Sequence, residues 1–289
     1  MKIMMVGATG KYAGLVLPEL KKRGATVRAL VRNEEGARAA QELGADETAI
    51  GDLEDPASLS AAAAGTEAVF HINPAFAPNE AELGLAMVKA AQDAGVNKFV
   101  FSGVIHPSLS KLPNHAAKLP VEQAISESGM IFTILQPTLF MQTLEICWAE
   151  VIGEGKLSLP YSKQMRVCYV DYRDVAEAAA IALTSDKLDY GTYELCAPGM
   201  INRIELALLM TKILGTAVEA VEPTFDEWAD QAQMPAGPQR DGLKQMYADF
   251  DEGGLPGGNS IVLEAVLGRV PRTLDQFVEE LATRESAVA

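Results

Sequence analysis

The chain has 289 residues, 48% of them hydrophobic, and a formal net charge of −15. That length suits one α/β core with a smaller attached lobe, and the hydrophobic content excludes wholesale disorder. The charge excludes nonspecific capture of nucleic acid or of an anionic membrane surface, because the average field repels phosphate; an anionic ligand has to be held by local donors.

Three cysteines, Cys147, Cys168 and Cys196, lie far apart in apolar stretches without CxxC spacing. They read as buried thiols, with neither a disulfide framework nor a metal site expected. No apolar run reaches bilayer length and the chain starts directly in a strand, so the expectation is a cytoplasmic protein without a membrane anchor.

Residues 2–6 form a short apolar run of the kind that a parallel sheet buries on both faces. A helical stretch follows at 12–23, with Gly24 as its C-cap. Strands at 27–31 and 48–50 flank a helix at 34–43. A helix at 56–63 opens on Pro56, which suits a first turn. Next come a strand at 68–72, a helix at 80–94 ending at Gly95, and strands at 98–102 and 131–135. This alternation predicts an α/β, Rossmann-type doubly wound parallel sheet with its ligand at the carboxyl ends of the strands.

Beyond about Gly153 the rhythm changes. Short strands are expected at 155–160 and 165–170, a helix at 171–183 with Asp171 as N-cap, and a strand at 193–196. Helices follow at 203–214, 225–233 and 239–249, then a Gly/Pro loop at 253–258. Thr273 with Gln276 opens the last helix as a capping box, and residues 284–289 are expected to fray. The implied division is a Rossmann domain over 1–153, to which 167–185 returns, and a small, mostly helical C-terminal lobe over 186–289.

Gly7-Ala8-Thr9-Gly10-Lys11-Tyr12-Ala13-Gly14 joins the first strand to the first helix. Gly7 permits a tight turn, Gly10 lets backbone approach a pyrophosphate, and Ala13 is small enough for helix and strand to pack closely. The helix start then offers N–H groups to the phosphates, with Thr9, Lys11 and Tyr12 in the same loop. A G-x-x-G-x-x-A pattern alone is weak; directly after an apolar strand it is specific. The competing reading is an ordinary glycine-rich turn.

The end of the second strand separates NAD from NADP. An acidic residue there holds a ribose 2′-hydroxyl, but this chain has Val31-Arg32-Asn33, and Arg32 can pair bidentately with a 2′-phosphate. Arg28 is the lesser candidate, and Lys11 can add a second cation. The competing reading makes Arg32 a solvated strand-end charge. Asp52 either accepts from the adenine amino group or forms the turn before Asp55-Pro56.

GATGKYAG, ALVRN, GDLEDPASL, GVNKFVFSG, FTILQPTLFMQ, VDYRDVAEAAAIAL and GTYEL together resemble the NmrA-like family of atypical short-chain dehydrogenases and reductases. GLPGGNSIVLEAVLGRVPRTLDQFV resembles the end of its bacterial members, and the likeness runs over about residues 1–281. The resemblance implies a Rossmann domain, a small C-terminal lobe, NADP(H) binding and a cleft between the two. Some relatives reduce quinones, dyes or phenylpropanoid-type double bonds. Others bind the cofactor without turnover and act as redox-sensing regulators.

The family's wider Tyr-x-x-x-Lys pattern falls here on Asn114-His115-Ala116-Ala117-Lys118. Lys118 matches and is expected at the nicotinamide ribose; the competing reading is a surface lysine. Asn114 stands where the tyrosine would be, and an amide is no proton donor at neutral pH. Pro120 suits a first turn, so the helix is expected to begin near Leu119. Hydride transfer survives this loss, since the hydride comes from the cofactor and a quinone can take its proton from water. His71, His106 and His115 are alternative acids, each with a structural role as the competing reading.

Strand ends also supply Asn73 and Ser102 as cofactor contacts. Candidate substrate contacts are Pro74, Phe76, Val104, Phe140, Met141, Trp148 and Tyr161, an apolar and aromatic set that favours a flat hydrophobic ligand. Two functions follow: an NADPH-dependent reductase of a hydrophobic quinone, carbonyl or conjugated acceptor, or a non-catalytic NADP(H)-binding regulator acting through a protein partner. The expected partners are a small substrate and either a homodimer mate or a regulatory protein, with no nucleic acid or membrane.

Overall fold

The computed structural model describes residues 1–286 other than Gly254, Pro256 and Gly258. Its strands are β1 (Lys2–Val6), β2 (Thr26–Val31), β3 (Glu47–Ile50), β4 (Ala68–Ile72), β5 (Lys98–Ser102), β6 (Ile131–Pro137), β7 (Leu139–Phe140), β8 (Lys156–Ser158), β9 (Tyr169–Val170), β10 (Gly191–Leu195) and β11 (Glu219–Val221). Its helices are α1 (Val16–Lys22), α2 (Glu34–Glu42), α3 (Pro56–Ala63), α4 (Glu80–Asp93), α5 (Pro113–Ala116), α6 (Leu119–Glu127) and α7 (Trp148–Glu154), followed by α8 (Tyr172–Thr184), α9 (Arg203–Leu214), α10 (Phe225–Gln231), α11 (Pro238–Gly253), α12 (Ile261–Leu267) and α13 (Leu274–Ser286).

Two compact units are formed. The first takes residues 1–110, 114–137 and 172–194; the second takes 111–113, 138–171 and 195 onward. The chain thus leaves the first unit at Pro137, where the sequence suggested 153, and returns through 172–194, where it suggested 167–185. The cause is the apolar content of 138–153: Met141, Leu144, Trp148 and Val151 belong to the second unit's core.

In the first unit a seven-stranded sheet has the order β10-β6-β5-β4-β1-β2-β3. β1 to β6 pair in parallel. Both faces are covered, which is why these strands read as unbroken apolar runs. Met4, Val69, Phe99 and Ile134 face α3, α4 and α6, while their neighbours Ile3, Met5, Phe70 and Val100 are buried on the opposite face. The chain winds outward from β1 in one direction through β2 and β3, then in the other through β4 to β6. The strand order therefore reverses between β1 and β4, where a doubly wound sheet leaves a crevice at its carboxyl edge.

The first helix departs from expectation. A 3-10 turn, Ala13–Leu15, precedes α1, which starts only at Val16. Pro18 explains the delay, since an α-helix from residue 12 would set its ring against the carbonyl of Gly14. A later start places Pro18 in the first turn.

In the second unit β8 pairs with β11 and β7 with β9, each in parallel. β11 and α12 were not expected from the sequence. α11 runs to Gly253, past the expected end at 249; of the expected loop at 253–258, Gly254, Pro256 and Gly258 lie outside the described residues. The Thr273 capping box is present, with Gln276 N donating to Thr273 Oγ1 at 3.3 Å and Thr273 N to Gln276 Oε1 at 3.0 Å. α13 continues to Ser286, so the expected fraying over 284–289 falls mainly on a helical turn and on residues outside the description. The three cysteines are buried. No helix among the described residues is long and apolar enough to cross a membrane.

Gly84 sets how closely α4 approaches the sheet end. A Cβ there would lie 2.5 Å from Val121 Cγ2 and 2.8 Å from Asn73 Oδ1. Gly84→Ala is therefore expected to destabilise the fold by about 1–3 kcal/mol through overpacking, read from the denaturant midpoint at unchanged m-value.

Candidate functional site

The carboxyl ends of β1 to β4 border a cavity of about 590 Å³, within the range of small-molecule sites. Gly7, Thr9 and Gly10 form one wall, Arg32 and Asn33 a second, and Asp52 and Pro74 complete it. Gly7 has φ +78°, and a Cβ there would sit 3.1 Å from Ala13 Cβ. Glycine thus supplies both the left-handed turn and the close approach of Ala13. Gly10 N donates to Gly7 O at 2.9 Å, closing the loop and leaving Thr9 and Gly10 exposed along the cavity.

The two arginines of β2 and its end have different fates. Arg28 pairs with Glu47 at 2.8 Å and donates to the carbonyls of Ala62 and Ala64, each at 2.8 Å. Arg32 is exposed on the cavity rim and makes no hydrogen bond or ion pair among the described residues. Its neighbour Asn33 caps α2, accepting from Gly36 N at 2.9 Å. Asp52 Oδ1 accepts from Glu54 N at 3.0 Å, the turn-forming alternative, although the residue also lines the cavity. Lys11 is exposed, with Nζ 5.8 Å from the Tyr12 ring centroid, and Tyr12 packs on Tyr172 at 5.6 Å.

A buried polar network occupies the carboxyl end of β4 and β5. Lys118, directly before α6, is 6% exposed and donates to Glu80 Oε1 at 2.5 Å and to the Asn114 carbonyl at 2.8 Å. The surface-lysine reading is therefore excluded. Glu80 Oε2 accepts from Phe76 N at 2.9 Å, and the Glu80 carbonyl accepts from Asn73 Nδ2 at 3.1 Å. That second bond orients the Asn73 amide, so Asn73 Oδ1 accepts from His71 Nε2 at 2.7 Å. Phe76 is held at φ +65°, a costly conformation for an aromatic residue.

One turn beyond Lys118 stands Glu122, buried, with Oε2 accepting from Gln136 Nε2 at 2.8 Å. Burial pushes its carboxyl up to about 7, against the opposing pull of Gln136 and Lys118.

Several expected contacts are corrected by this geometry. His71 is fully buried between Phe99 and Phe101, and burial drives its pKa down to about 4. With Nε2 committed to Asn73 it is a neutral imidazole, not an acid at pH 7. His115 is also buried and lowered to about 4, mainly by desolvation, so it too is a neutral imidazole and not an acid at pH 7. His106 is half-buried, with Nδ1 3.6 Å from Glu194. Ser102 is fully buried against the Tyr172 hydroxyl at 3.4 Å, and Asn73 is engaged by His71 and Glu80; both act inside the fold.

Of the substrate candidates, Pro74 is exposed on the cavity just described, and Phe76, Val104 and Phe140 are half-buried. Met141, Trp148 and Tyr161 are core residues of the second unit. Tyr161 stacks on Tyr247 with centroids 5.2 Å apart, and the Arg203 guanidinium lies 4.8 Å from its ring. Their apolar and aromatic character made them look like pocket walls; the same character fills a core.

Glu80, Glu122 and Gln136 were not anticipated. The spacing of Lys118 and Glu122, one helical turn apart, was a readable signal. Glu80 carried none, because only the fold brings the first residue of α4 to Lys118.

The fold is that of the Rossmann-type nucleotide-binding proteins. Within that class the chain belongs to the NmrA-like family, whose sequence profile matches residues 1–281. It is 31% identical over 286 residues to the NAD(P)H azoreductase of Xenophilus azovorans, covering 96% of each chain. The triphenylmethane reductase of Citrobacter sp., solved with NADP(H), is 26% identical and superposes with a TM-score of 0.85 over 96% of this chain and 99% of that one. An NADPH-dependent quinone oxidoreductase of Escherichia coli is 25% identical, with a TM-score of 0.80 over 96% and 99% of the two chains.

The histidines give this region a pH signature. Unfolding returns His71 and His115 to about 6.5, from about 4 in the fold. Between those values the unfolded chain binds protons that the folded chain refuses. Their contribution is thus complete above pH 6.5 and lost as pH falls to about 4. Glu122, raised to about 7, acts in the opposite sense between about 4.5 and 7. In an NMR titration of the folded protein, the His71 ring is expected to stay neutral at pH 5, with the proton on Nε2. An imidazolium signal for His71 at pH 6 would contradict this.

Proposed function

We propose that the chain is an NADP(H)-dependent reductase of a flat hydrophobic acceptor such as a quinone, a dye or a conjugated carbonyl. The observation that carries the cofactor assignment is Arg32, an arginine without a carboxylate partner among the described residues, at the rim of a cavity whose opposite wall is a glycine-turned loop. The similarity to the azoreductase and to the triphenylmethane reductase, each spanning nearly the whole chain, supports the reaction class.

The residues present fit the dinucleotide. Backbone N–H groups of the Gly7–Gly10 turn and the helical segment behind it receive the pyrophosphate. Arg32 receives the 2′-phosphate with charge-assisted bonds, so that local donors offset a net charge of −15. Lys118, fixed by Glu80 and by the Asn114 carbonyl, offers its remaining N–H to the nicotinamide ribose. When bound, the cofactor supplies the hydride. Asn114 contributes a main-chain oxygen to Lys118 and no proton to the substrate.

Arg32→Ala is expected to weaken NADPH binding by about 1.5–3 kcal/mol, the range for charge-assisted hydrogen bonds, and to leave NADH nearly unchanged. Calorimetry with both cofactors measures this; equal losses would remove the 2′-phosphate from Arg32.

Activity is tested by NADPH oxidation against a panel of quinones, azo dyes and enones. On the best acceptor, Lys118→Ala is expected to raise the KM for NADPH and lower kcat together, since the lysine both binds and orients, while Asn114→Ala changes little. A collapse of turnover in Asn114→Ala beside a normal Lys118→Ala would reverse these roles. Tight NADPH binding without oxidation by any acceptor would instead assign a cofactor-sensing role through a protein partner.

A further inference from the structure

Glu122 is a buried acid that the proposed chemistry leaves unused. It is 8% exposed. Gln136 donates to Oε2, but Oε1 has no hydrogen-bond partner among the described residues. Oε1 lies 2.7 Å from where a Cβ on residue 103 would stand, so the absence of a side chain at Gly103 is what makes room for it. Gly103 directly follows β5 and is tied to β6 through Leu135 O at 2.8 Å. The carboxyl group therefore lies against the Gly103 backbone at the carboxyl end of β5.

A half-satisfied carboxylate in such a place is costly, and burial brings the neutral acid and the carboxylate close to balance near pH 7. The charges around it are few. Lys118 lies one turn back on the same helix and is already paired with Glu80 from α4. His115 of α5 is neutral, β6 presents Gln136 and the end of β5 presents Gly103, while Ser102 and Thr133 point to the other face of the sheet, to the Tyr172 hydroxyl and the Leu188 carbonyl. With Glu122 protonated this cluster is balanced; with Glu122 ionised it carries one net negative charge.

We propose that Glu122 is a positioning residue that senses the charge of the nicotinamide ring, ionising when the ring is cationic and holding its proton when the ring is neutral. The proposal rests on the cofactor reading above. NADP⁺ carries a positive ring that NADPH lacks, so ionised Glu122 stabilises the oxidised cofactor selectively. Reciprocity then requires that NADP⁺ binding near neutral pH expel a proton that NADPH binding does not.

The test is calorimetric titration of NADP⁺ and of NADPH between pH 6 and 8.5, in buffers of different ionisation enthalpy. The 2′-phosphate titrates in both ligands and cancels in the ratio of dissociation constants. In the native protein NADP⁺ should gain on NADPH by an amount on the order of tenfold across this range, as for two unit charges roughly 12 Å apart at an effective dielectric of about 20. Near pH 7 it should also release the extra proton. Glu122→Gln keeps the size of the side chain and can still accept from Gln136; its ratio should be independent of pH, with no extra proton released.

A pH-dependent ratio that persists in Glu122→Gln overturns the proposal. So does equal proton release by the two cofactors in the native protein, a result that holds even if the variant fails to fold. Failure of either cofactor to bind the folded native chain would sink the cofactor reading itself, whereas tight binding with a flat native ratio would remove only Glu122.

Discussion

Lys118 and Glu80 are taken out of water together, and much of the carboxyl end of this sheet is arranged around that pair. Each charge, left alone in such a place, would cost several kcal/mol. Every other bond of Glu80 then becomes consequential. One oxygen holds Lys118, the other holds the Phe76 amide in its left-handed turn, and the carbonyl orients Asn73 and through it the His71 ring. Gly84 lets α4 come close enough for these contacts. Two apolar side chains of similar volume would serve stability equally well. What they would not supply is an ammonium group fixed at the end of β4 and β5.

The repetitive parts of this architecture are legible in the sequence. β1, β4 and β5 are uninterrupted apolar runs because both faces of the sheet are covered, and their limits coincide with the expected ones. The Thr273 capping box and the glycine turn at Gly7 are equally local signals. Elements with weaker local marks were missed, such as β11, three residues long, and α12. Pro18 was visible, but its effect, a 3-10 entry into α1, depends on where the preceding turn ends.

The candidate site was less legible, for physical reasons. Arg32 could be chosen over Arg28 because it stands just past the carboxyl end of β2, the edge where a doubly wound sheet takes its ligand, while Arg28 lies within the strand. His71 and His115 looked like acids because an imidazole titrates near neutrality in water, and burial removes that property. Met141, Trp148 and Tyr161 illustrate that an apolar or aromatic pocket wall and a core are built of the same residue types, a symmetry that composition cannot break. Glu80 was silent because it meets Lys118 only after α4 and α6 have packed on the same face of the sheet.

These features give the two ends of the proposed dinucleotide site different characters. In the proposed assignment the adenosine end is the open cavity with its exposed arginine and glycine loop, and the nicotinamide end is the buried hydrogen-bonded network around Lys118. A crystal structure of the chain with NADP⁺ tests this assignment most directly. The account predicts the 2′-phosphate within hydrogen-bond distance of the Arg32 guanidinium, the pyrophosphate against the Gly10 backbone, and a ribose hydroxyl on Lys118 Nζ. A dinucleotide bound with its 2′-phosphate away from Arg32 and its nicotinamide ribose out of reach of Lys118 would contradict it.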